Sequence, residues 1–419
     1  MKYFSHPESD SFFTQPDAEP FPSDLCVCEI TPKDYVELGG VLPDVELDIE
    51  TYSEEDLKRA GVYRYAAHPS TELLCVCYAF KGEDVVRCWI PHNVIPIDLL
   101  MMTHARLRPG DIVTVRADVP DDLRAHIEAG GKVRAHNANF ERTVLNGVAG
   151  KKVDFPHLTI EQMVCTAAKM RVHGLPGALE DAASALGTHP KDSTGKGAML
   201  QLCKPRTGEV KRYGMEEYPE KYAHLFSYCV DDVRAERGVD DAVPDLTAKE
   251  QAIWELDQRA NDRGIAVDLK MIDDMQFLID AYKRELEAEC KEWTGHKPTQ
   301  REKIAEWVRT NGYPQLIDMT ADTVRKTAKD AACPEPVKNV LRLYSIYNAK
   351  ATAKYQAIKE RVCADGRIRG CFLHYGAGTG RWSSLGVQIQ NLARPVIKDV
   401  DNAIAACALR DLELIKELW

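Results

Sequence analysis

The sequence lacks the long apolar runs and the paired cysteines that mark two large classes of protein. No stretch of about 18 or more apolar residues occurs in the chain of 419 residues, and its polar start has no run of signal-peptide length. The thirteen cysteines are scattered, and the closest pairs, Cys26/Cys28 and Cys75/Cys77, have C-x-C spacing rather than the C-x-x-C spacing that structural zinc sites prefer. We therefore expect a cytoplasmic protein without a membrane partner, whose reduced cysteines pack as small apolar side chains.

Positive charge is also in short supply. The chain has 54 Lys and Arg residues against 65 Asp and Glu residues, a formal net charge of −11, which excludes a protein coated with basic surface for non-specific nucleic-acid binding. A local basic groove stays open, because residues 187–214 carry a cluster of cations, although their composition favours a solvated flexible loop. The cations of this segment are Lys191, Lys196, Lys204, Arg206, Lys211 and Arg212.

Loops that bind nucleotide phosphates are absent as well. The Gly195-Lys196 pair resembles part of a P-loop, but Pro190 stands where the first glycine is required and Gly197 where Ser or Thr is required. The GAGTG stretch at 376–380 lacks the third glycine of a dinucleotide-binding fingerprint. Neither segment predicts a nucleotide site.

Residues 41–245 mix strand and helix patterns after a polar, proline-rich extension over residues 1–40. Two apolar, β-branched runs at 71–80 and 84–90 are joined by a short turn and predict a hairpin. A helical pattern at 119–131 is followed by a short strand and by a helix that begins around Asn139. Strand pairing followed by strand–helix alternation predicts an α/β domain with a mixed sheet flanked by helices.

From residue 247 to about 362 the pattern is almost wholly helical. Thr247 and Glu250 have capping-box spacing, and Gly264 is placed to end the helix that they begin. Another helical pattern starts at Pro336, the pattern returns to strand near residue 371, and residues 400–419 read as a closing helix. A separate, mostly helical region is therefore expected after residue 245.

Two carboxylates stand two residues apart in ELDIETYS. On a strand Asp48 and Glu50 share one face, whereas Leu47 and Ile49 point to the other. Carboxylates held this close repel each other unless a cation lies between them, and hard ions such as Mg²⁺ or Mn²⁺ prefer oxygen ligands. The alternative is the solvent-facing edge of an amphipathic strand.

Two further elements carry candidate acids. In AHNANFERTVL a strand ends at His136 and Asn137, and the following helix carries Glu141; such a histidine is more often a hydrogen-bonded core residue than a ligand. In HLFSYCVDDVRAER, Tyr228 and Asp232 are four apart and share a helix face. Asp231 lies off that face and is expected on the solvent side.

A D-x-E strand, an Asn-x-x-Phe-acid element and a Tyr-x-x-x-Asp helix, in this order, resemble the three exonuclease motifs of the DEDD superfamily. The chain resembles the proofreading 3′→5′ exonuclease domain of family A DNA polymerases, in the tyrosine-bearing subclass. The resemblance implies a ribonuclease-H-like fold and two divalent ions, Mg²⁺ or Mn²⁺. It also implies that single-stranded DNA is hydrolysed from its 3′ end to nucleoside 5′-monophosphates. Glu141 departs from the usual Asp by one methylene. The implied metal-holding and catalytic acids are Asp48, Glu50, Glu141 and Asp232, with Tyr228 to orient the attacking water and Asn137 and Phe140 to contact DNA.

The segment TGRWSSLGVQIQN is similar to the motif that opens the palm of family A polymerases, in which Thr-Gly-Arg-x-Ser-Ser leads to Gln-Asn. The resemblance implies that Arg381 binds the phosphate backbone of a primer–template duplex and that Gln390 or Asn391 contacts the duplex near its growing end. Trp382 departs from the commoner Leu. The matching residues are Thr379, Gly380, Arg381, Ser383, Ser384, Gln390 and Asn391.

The resemblance divides the chain into an extension (1–40), an exonuclease domain (41–245), a thumb-like helical region (246–370) and the beginning of a palm (371–419). The later acidic palm motifs and the fingers do not follow, so we expect no polymerase activity from this chain alone. It would be a truncated, interrupted or split product, with a second chain as a possible supplier of the rest, in a bacterial host or phage-infected cell. Its rivals are a stand-alone exonuclease of the ribonuclease D or helicase-associated type and a non-catalytic DNA-binding subunit.

Overall fold

The computed structural model describes residues 2–5, 12–15, 28–188, 195–205, 212–349, 353–392 and 396–418. It divides the chain into two compact units, the first made of residues 1–265 and 368–386 and the second of residues 266–367 and 387–419. Three cations of the basic segment, Lys191, Arg206 and Lys211, lie outside the described residues.

Regular structure precedes residue 41, where the sequence predicted an extension. Three short strands form an antiparallel sheet in the order β2-β1-β3. The helix α1 (Pro32–Glu37) follows, with Thr31 and Asp34 forming a capping box. The sequence did not predict these strands, because each has only three or four residues and lies in a polar, proline-rich segment. They are β1 (Lys2–Ser5), β2 (Phe12–Gln15) and β3 (Cys28–Ile30).

A six-stranded mixed sheet forms the centre of the first unit, in the order β7-β6-β5-β4-β8-β9. The pairs β4–β5 and β5–β6 are antiparallel, and the other three pairs are parallel. The predicted hairpin is confirmed, since it corresponds to β5 and β6. The strands are β4 (Val45–Tyr52), β5 (Glu72–Phe80), β6 (Arg87–Ile90), β7 (Ile112–Val115), β8 (Val133–Ala135) and β9 (Met163–Cys165).

Helices flank this sheet, which confirms the predicted α/β arrangement. The helix predicted at 119–131 and the one predicted to begin around Asn139 are both present. The helices are α2 (Leu57–Ala60), α3 (Val62–Ala67), α4 (Ile97–Arg106), α5 (Asp121–Glu128), α6 (Asn139–Leu145), α7 (Val148–Lys152), α8 (Thr166–Val172), α9 (Leu179–Leu186), α10 (Gly195–Leu202), α11 (Pro219–Asp241) and α12 (Ala248–Arg263).

The sheet separates two apolar cores. On one face, Leu47 and Ile49 of β4 pack with residues of α6 and α7. On the other face, cysteines of β5 and β6 pack with Phe226 and Val230 of α11. The alternation predicted for β4 is confirmed, because its acidic side chains occupy the face that α11 covers.

The helix α12 begins and ends as its sequence predicts. The Thr247 side chain accepts a hydrogen bond from the Glu250 amide, and Gly264 follows the helix with φ 63°. This helix is grouped with the first unit, together with residues 368–386.

Four short strands follow α12 in the chain. The boundaries between the units fall within two of them, β10 (Ile265–Ala266) and β11 (Arg367–Ile368). The other two, β12 (Phe372–Leu373) and β13 (Ser383–Ser384), form an antiparallel pair.

The second unit is helical and has its own core, which includes Leu286, Ile304, Val337 and Leu341. The predicted closing helix is two helices, because Arg410 adopts a left-handed conformation (φ 55°) and the Asp411 side chain accepts from the Leu414 amide. The long pattern from Pro336 is also two helices. The helices are α13 (Leu269–Thr294), α14 (Arg301–Thr310), α15 (Ala321–Lys329), α16 (Glu335–Tyr347), α17 (Ala353–Arg361), a 3₁₀ turn (Ile389–Asn391), α18 (Val400–Cys407) and α19 (Leu412–Leu418).

A bilayer-spanning helix would need about 20 apolar residues in a row. Across the described part of the chain, no helix reaches that combination of length and apolarity.

Candidate active site

Three of the predicted acids converge between β4 and α11. One carboxylate oxygen each from Asp48, Glu50 and Asp232 lies within 4.8 Å of the other two. Asp48 is half-buried, and Glu50 and Asp232 are buried. The structure therefore brings together side chains that are more than 180 residues apart in the sequence.

Local structure explains this convergence. Asp48 and Glu50 alternate with the core residues of β4, and the register of β4 with β5 shifts between Glu50 and Thr51. The 23-residue helix α11 packs against β4 and β5 and carries Asp232 on its buried side. Two ion pairs fix this helix: Arg234 binds both carboxylate oxygens of Asp111 at 2.6 Å, and Arg237 donates to Glu46 of β4.

The carboxylates lie in an environment that disfavours their charge. Desolvation raises the pKa of Asp48 well above its usual value, and the neighbouring Cys229, Asp232 and Glu50 raise it further. Two thiols also contact this set: Cys229 Sγ donates to Asp48 Oδ2 at 3.3 Å, and Cys203 Sγ donates to Glu50 Oε2 at 3.4 Å. A cation would relieve the repulsion among these acids.

Glu141 stands apart from this trio. It lies in the first turn of α6, is 3% exposed, and burial raises its pKa to about 8. Its charge contributes to the raised pKa of Asp48, so it acts on the same site from a greater distance. Within the described residues its Oε2 atom has no hydrogen-bond partner, although it is buried. A buried carboxylate oxygen without a partner is costly unless it is protonated or binds a ligand.

The second motif also places Asn137 and Phe140. Asn137 adopts a left-handed conformation (φ 74°), which asparagine tolerates better than most residues, and its carbonyl accepts from the Phe140 amide at 2.8 Å. The Phe140 ring lies against Tyr65, whose hydroxyl bonds to Thr51.

His136 was expected to be a hydrogen-bonded residue rather than a ligand. This expectation is confirmed, because its ring nitrogens bond to Thr166 Oγ1 and to the Gly177 carbonyl.

A cavity of about 630 Å³ opens beside the acids. Glu50 and Phe140 line it together with apolar side chains of α2 and α10. Lys58 and Lys204 line it together with three more acids, Glu54, Glu55 and Asp56. The cavity thus combines a ring, two cations and an excess of carboxylates.

Tyr228 and Asp231 lie where the helix spacing places them. Tyr228 is 2% exposed on the buried side of α11, one turn before Asp232. Asp231 lies off this face, partly exposed, and its carboxylate pairs with Arg234 at 3.4 Å.

Sequence reasoning did not identify Glu236, Cys203 and Cys229. Glu236 lies one turn after Asp232 and is 1% exposed. It accepts from Thr166 Oγ1 at 3.1 Å, and burial and the charge of Glu141 raise its pKa well above its usual value. The four-residue spacing of Tyr228, Asp232 and Glu236 was a signal for Glu236, whereas no sequence pattern points to the two thiols.

The palm-like motif is divided between the two units. Thr379 and Arg381 are exposed in the loop before β13, and Ser383 lies in β13, paired with β12. Gln390 and Asn391 belong to the second unit, in the 3₁₀ turn, where the Asn391 carbonyl accepts from Lys354.

Glycine is required at two positions of this loop. A Cβ atom on Gly376 would lie 2.0 Å from Ser383 Oγ. Gly380 has φ 77°, and a Cβ atom there would lie 2.9 Å from the Tyr375 ring. The glycines therefore allow the hairpin to close tightly behind Arg381.

No family model matches the chain. Over 370 residues it is 31% identical to a DNA polymerase of Bacillus phage SP02, an alignment that covers 86% of this chain and 52% of the phage protein. A solved structure, the POL domain of Pol1 from M. smegmatis in complex with a DNA primer-template and dNTP, gives a TM-score of 0.45 at 15% identity, covering 90% of this chain and 55% of that one. The chain spans about half the length of the phage polymerase, to which it is related in sequence.

Proposed function

We propose that this chain is part of a family A DNA polymerase and that residues 41–245, within its first unit, form a ribonuclease-H-like, metal-dependent 3′→5′ exonuclease. The observation that carries the proposal is the convergence of Asp48, Glu50 and Asp232, with ligand atoms within 4.8 Å of one another. Sequence similarity to a phage DNA polymerase supports the choice of DNA as substrate.

The residues fit hard divalent cations. Three carboxylates offer oxygen ligands of the type that Mg²⁺ and Mn²⁺ prefer. Glu141 offers a buried oxygen that lacks a hydrogen-bond partner in the described part of the chain. Asp48, Glu50 and Asp232 would hold the first ion, and Glu141 would contribute to the second, directly or through water. Bound ions supply charge neutralisation for the attacking and leaving oxygens of the phosphodiester.

The protein's own groups position the substrate. The terminal base of the DNA strand would lie against Phe140 in the cavity beside Glu50, since aromatic rings stack on any base. Lys58 and Lys204 line the same cavity and would pair with phosphates of the strand, whereas Glu54, Glu55 and Asp56 beside them would need bound cations to offset their charge. Tyr228 would hold the attacking water by a hydrogen bond from its hydroxyl. This positioning role does not require a strong base.

The palm-like loop is proposed to bind duplex DNA. Arg381 is exposed at the end of a hairpin, and a guanidinium binds phosphate oxygens in a bidentate fashion. Arg381→Ala should weaken binding of a primer–template duplex and reduce the slope of log affinity against log salt by about 1, whereas Arg259→Ala should not. An unchanged affinity and slope would remove Arg381 from the DNA interface.

The exonuclease proposal is tested by release of mononucleotides from 3′-labelled single-stranded DNA with Mg²⁺ or Mn²⁺. Two adjacent acids of α11 give a matched comparison: Asp232→Asn should abolish release, and Asp231→Asn should retain it. Asp48→Ala should reduce release by more than about 100-fold. Substitution of a residue that only hydrogen-bonds to a metal ligand already costs about 10–100-fold, and loss of a ligand should cost more. Release that survives both Asp48→Ala and Asp232→Asn would refute the site. Absence of release by the unaltered chain, with DNA still bound, would leave a DNA-binding subunit.

A further inference from the structure

A second set of potential metal ligands lies beside the acids and plays no part in the proposed hydrolysis. Cys75, Cys77 and Cys88 are fully buried, and their sulfur atoms lie within 4.8 Å of one another. All three are free thiols. We call Cys75, Cys77, Cys88 and the adjacent Cys229 the thiol cluster.

Sheet geometry creates this cluster. Cys75 and Cys77 alternate along β5 and therefore share the face that α11 covers, and Cys88 of β6 stands directly opposite Cys77. Cys229 of α11 packs in the same buried cluster, outside the set of three, and its Sγ donates to Asp48 Oδ2 at 3.3 Å. Two strands thus supply three sulfur atoms to one position, and the helix places a fourth thiol next to them.

A lone buried cysteine is adequately explained as a small apolar side chain. Three thiols that converge from two strands, with a fourth packed beside them, are a different case, because sulfur is the preferred ligand of thiophilic cations. A tetrahedral zinc–thiolate centre has Zn–S bonds of about 2.3 Å, which sets its sulfur atoms about 3.8 Å apart. The sulfur atoms of Cys75, Cys77 and Cys88 would need to approach one another by no more than about 1 Å to reach that spacing.

We propose that the thiol cluster binds one thiophilic divalent cation of the Zn²⁺ class, with Cys75, Cys77 and Cys88 as ligands and Cys229 as the fourth. The ion would form bonds to sulfur, and each ligating thiol would release its proton to solvent. The centre would tie α11 to β5 and β6 and thereby hold the helix that carries Tyr228 and Asp232.

The neighbouring acids restrict which cations can bind. Cys77 is in register with Asp48, and Cys75 with Glu50, so thiolates would form one strand away from carboxylates. Only an ion that binds sulfur strongly offsets this repulsion, and Mg²⁺ or Mn²⁺ does not. The thiol cluster should therefore keep its ion in excess Mg²⁺, whereas the acids would exchange theirs.

The test uses the full chain produced with Co²⁺ in place of zinc and purified under reducing conditions. Sulfur-to-cobalt charge-transfer absorption and the visible bands of tetrahedral cobalt should appear, with about one Co²⁺ per chain that excess Mg²⁺ does not displace. Cys88→Ser should lose these bands. Cys290→Ser, which changes a buried thiol of the second unit, should keep them. Asp232→Asn should also keep them, which separates this centre from the acids.

Three outcomes would overturn the proposal. The first is an unaltered chain without charge-transfer absorption, a result that does not depend on whether any variant folds. The second is absorption that persists in a folded Cys88→Ser variant, as judged by its circular dichroism. The third is bound Co²⁺ that excess Mg²⁺ displaces, since a thiolate centre would keep its ion.

Discussion

Tyr228 and Asp232 lie one turn apart on α11 and are both buried, 2% and 5% exposed. The Tyr228 phenol and the Asp232 carboxylate therefore lie on the same face of this helix. The water-positioning role proposed for Tyr228 requires its hydroxyl near a carboxylate proposed to bind a metal ion, and removal of the hydroxyl alone tests it.

Tyr228→Phe should lower kcat for mononucleotide release by roughly 10- to 100-fold and leave KM unchanged, because the ring still fills its space while the hydroxyl no longer orients the water. Tyr222→Phe is the matched control. Tyr222 is also buried on α11, but its hydroxyl donates to the Tyr213 carbonyl at 2.8 Å. Equal kcat values for both variants and the unaltered chain would exclude the positioning role.

Arg134→Met should destabilise the first unit by about 1–3 kcal/mol, because the buried Asp240 loses one charged hydrogen-bond donor while it keeps Lys169 at 2.7 Å and Lys81 at 3.2 Å. Arg134 binds Asp44 at 2.6 Å, Asp240 at 3.0 Å and Asp245 at 2.8 Å. Denaturant unfolding would measure the loss.

The control for this variant is Arg259→Ala, which breaks an exposed pair with Glu161 and should cost no more than about 1 kcal/mol. Similar losses for the two variants would show that the network around Arg134 contributes no more than a surface ion pair.

Asp257→Asn should change how stability depends on pH. Burial raises the pKa of Asp257 to about 6, from an ordinary 3.8, and the residue is 1% exposed. The folded state then binds the proton more tightly than the unfolded state, so this group favours folding below pH 4 and loses that contribution as the pH rises to about 6. The loss should amount to about 3 kcal/mol at most.

The asparagine variant should therefore lose less stability between pH 4 and pH 6.5 than the unaltered chain, as measured by urea unfolding at each pH. Asp154→Asn, at a side chain that is 94% exposed, should leave the profile unchanged. Parallel profiles for the unaltered chain and Asp257→Asn would contradict the raised pKa.

Gly376→Ala should loosen the hairpin of β12 and β13, since the added methyl would overlap Ser383 Oγ and overpacking costs about 1–3 kcal/mol. Amide hydrogen exchange over residues 372–384 should become faster. Gly378→Ala adds a methyl into open space and should leave exchange slow. Unchanged exchange in Gly376→Ala would show that the loop can move away from Ser383 without cost.

Local patterns in the sequence predicted much of the fold. The period of two on β4 placed Asp48 and Glu50 on the opposite face from Leu47 and Ile49, and the cap at Thr247 marked the start of α12, because both depend on near neighbours. The Cys203–Glu50 contact spans 153 positions and depends on tertiary packing, which no local pattern encodes. The same holds for the thiol cluster, because β6 and α11 supply two of its sulfur atoms and only tertiary packing brings them to Cys75 and Cys77.

The two ion pairs that hold α11 in place also determine its rotation about its own axis. Arg234 and Arg237 lie on the C-terminal side of Tyr228 and Asp232, so they hold the distal half of the helix against Asp111 and Glu46. Each residue turns an α-helix by about 100°. Deleting one residue between Asp232 and Arg234 would leave the anchors in place and swing the phenol and the carboxylate out of the site together. This helix should therefore accept many point substitutions on its outer side but no change in length between the anchors and the two functional side chains.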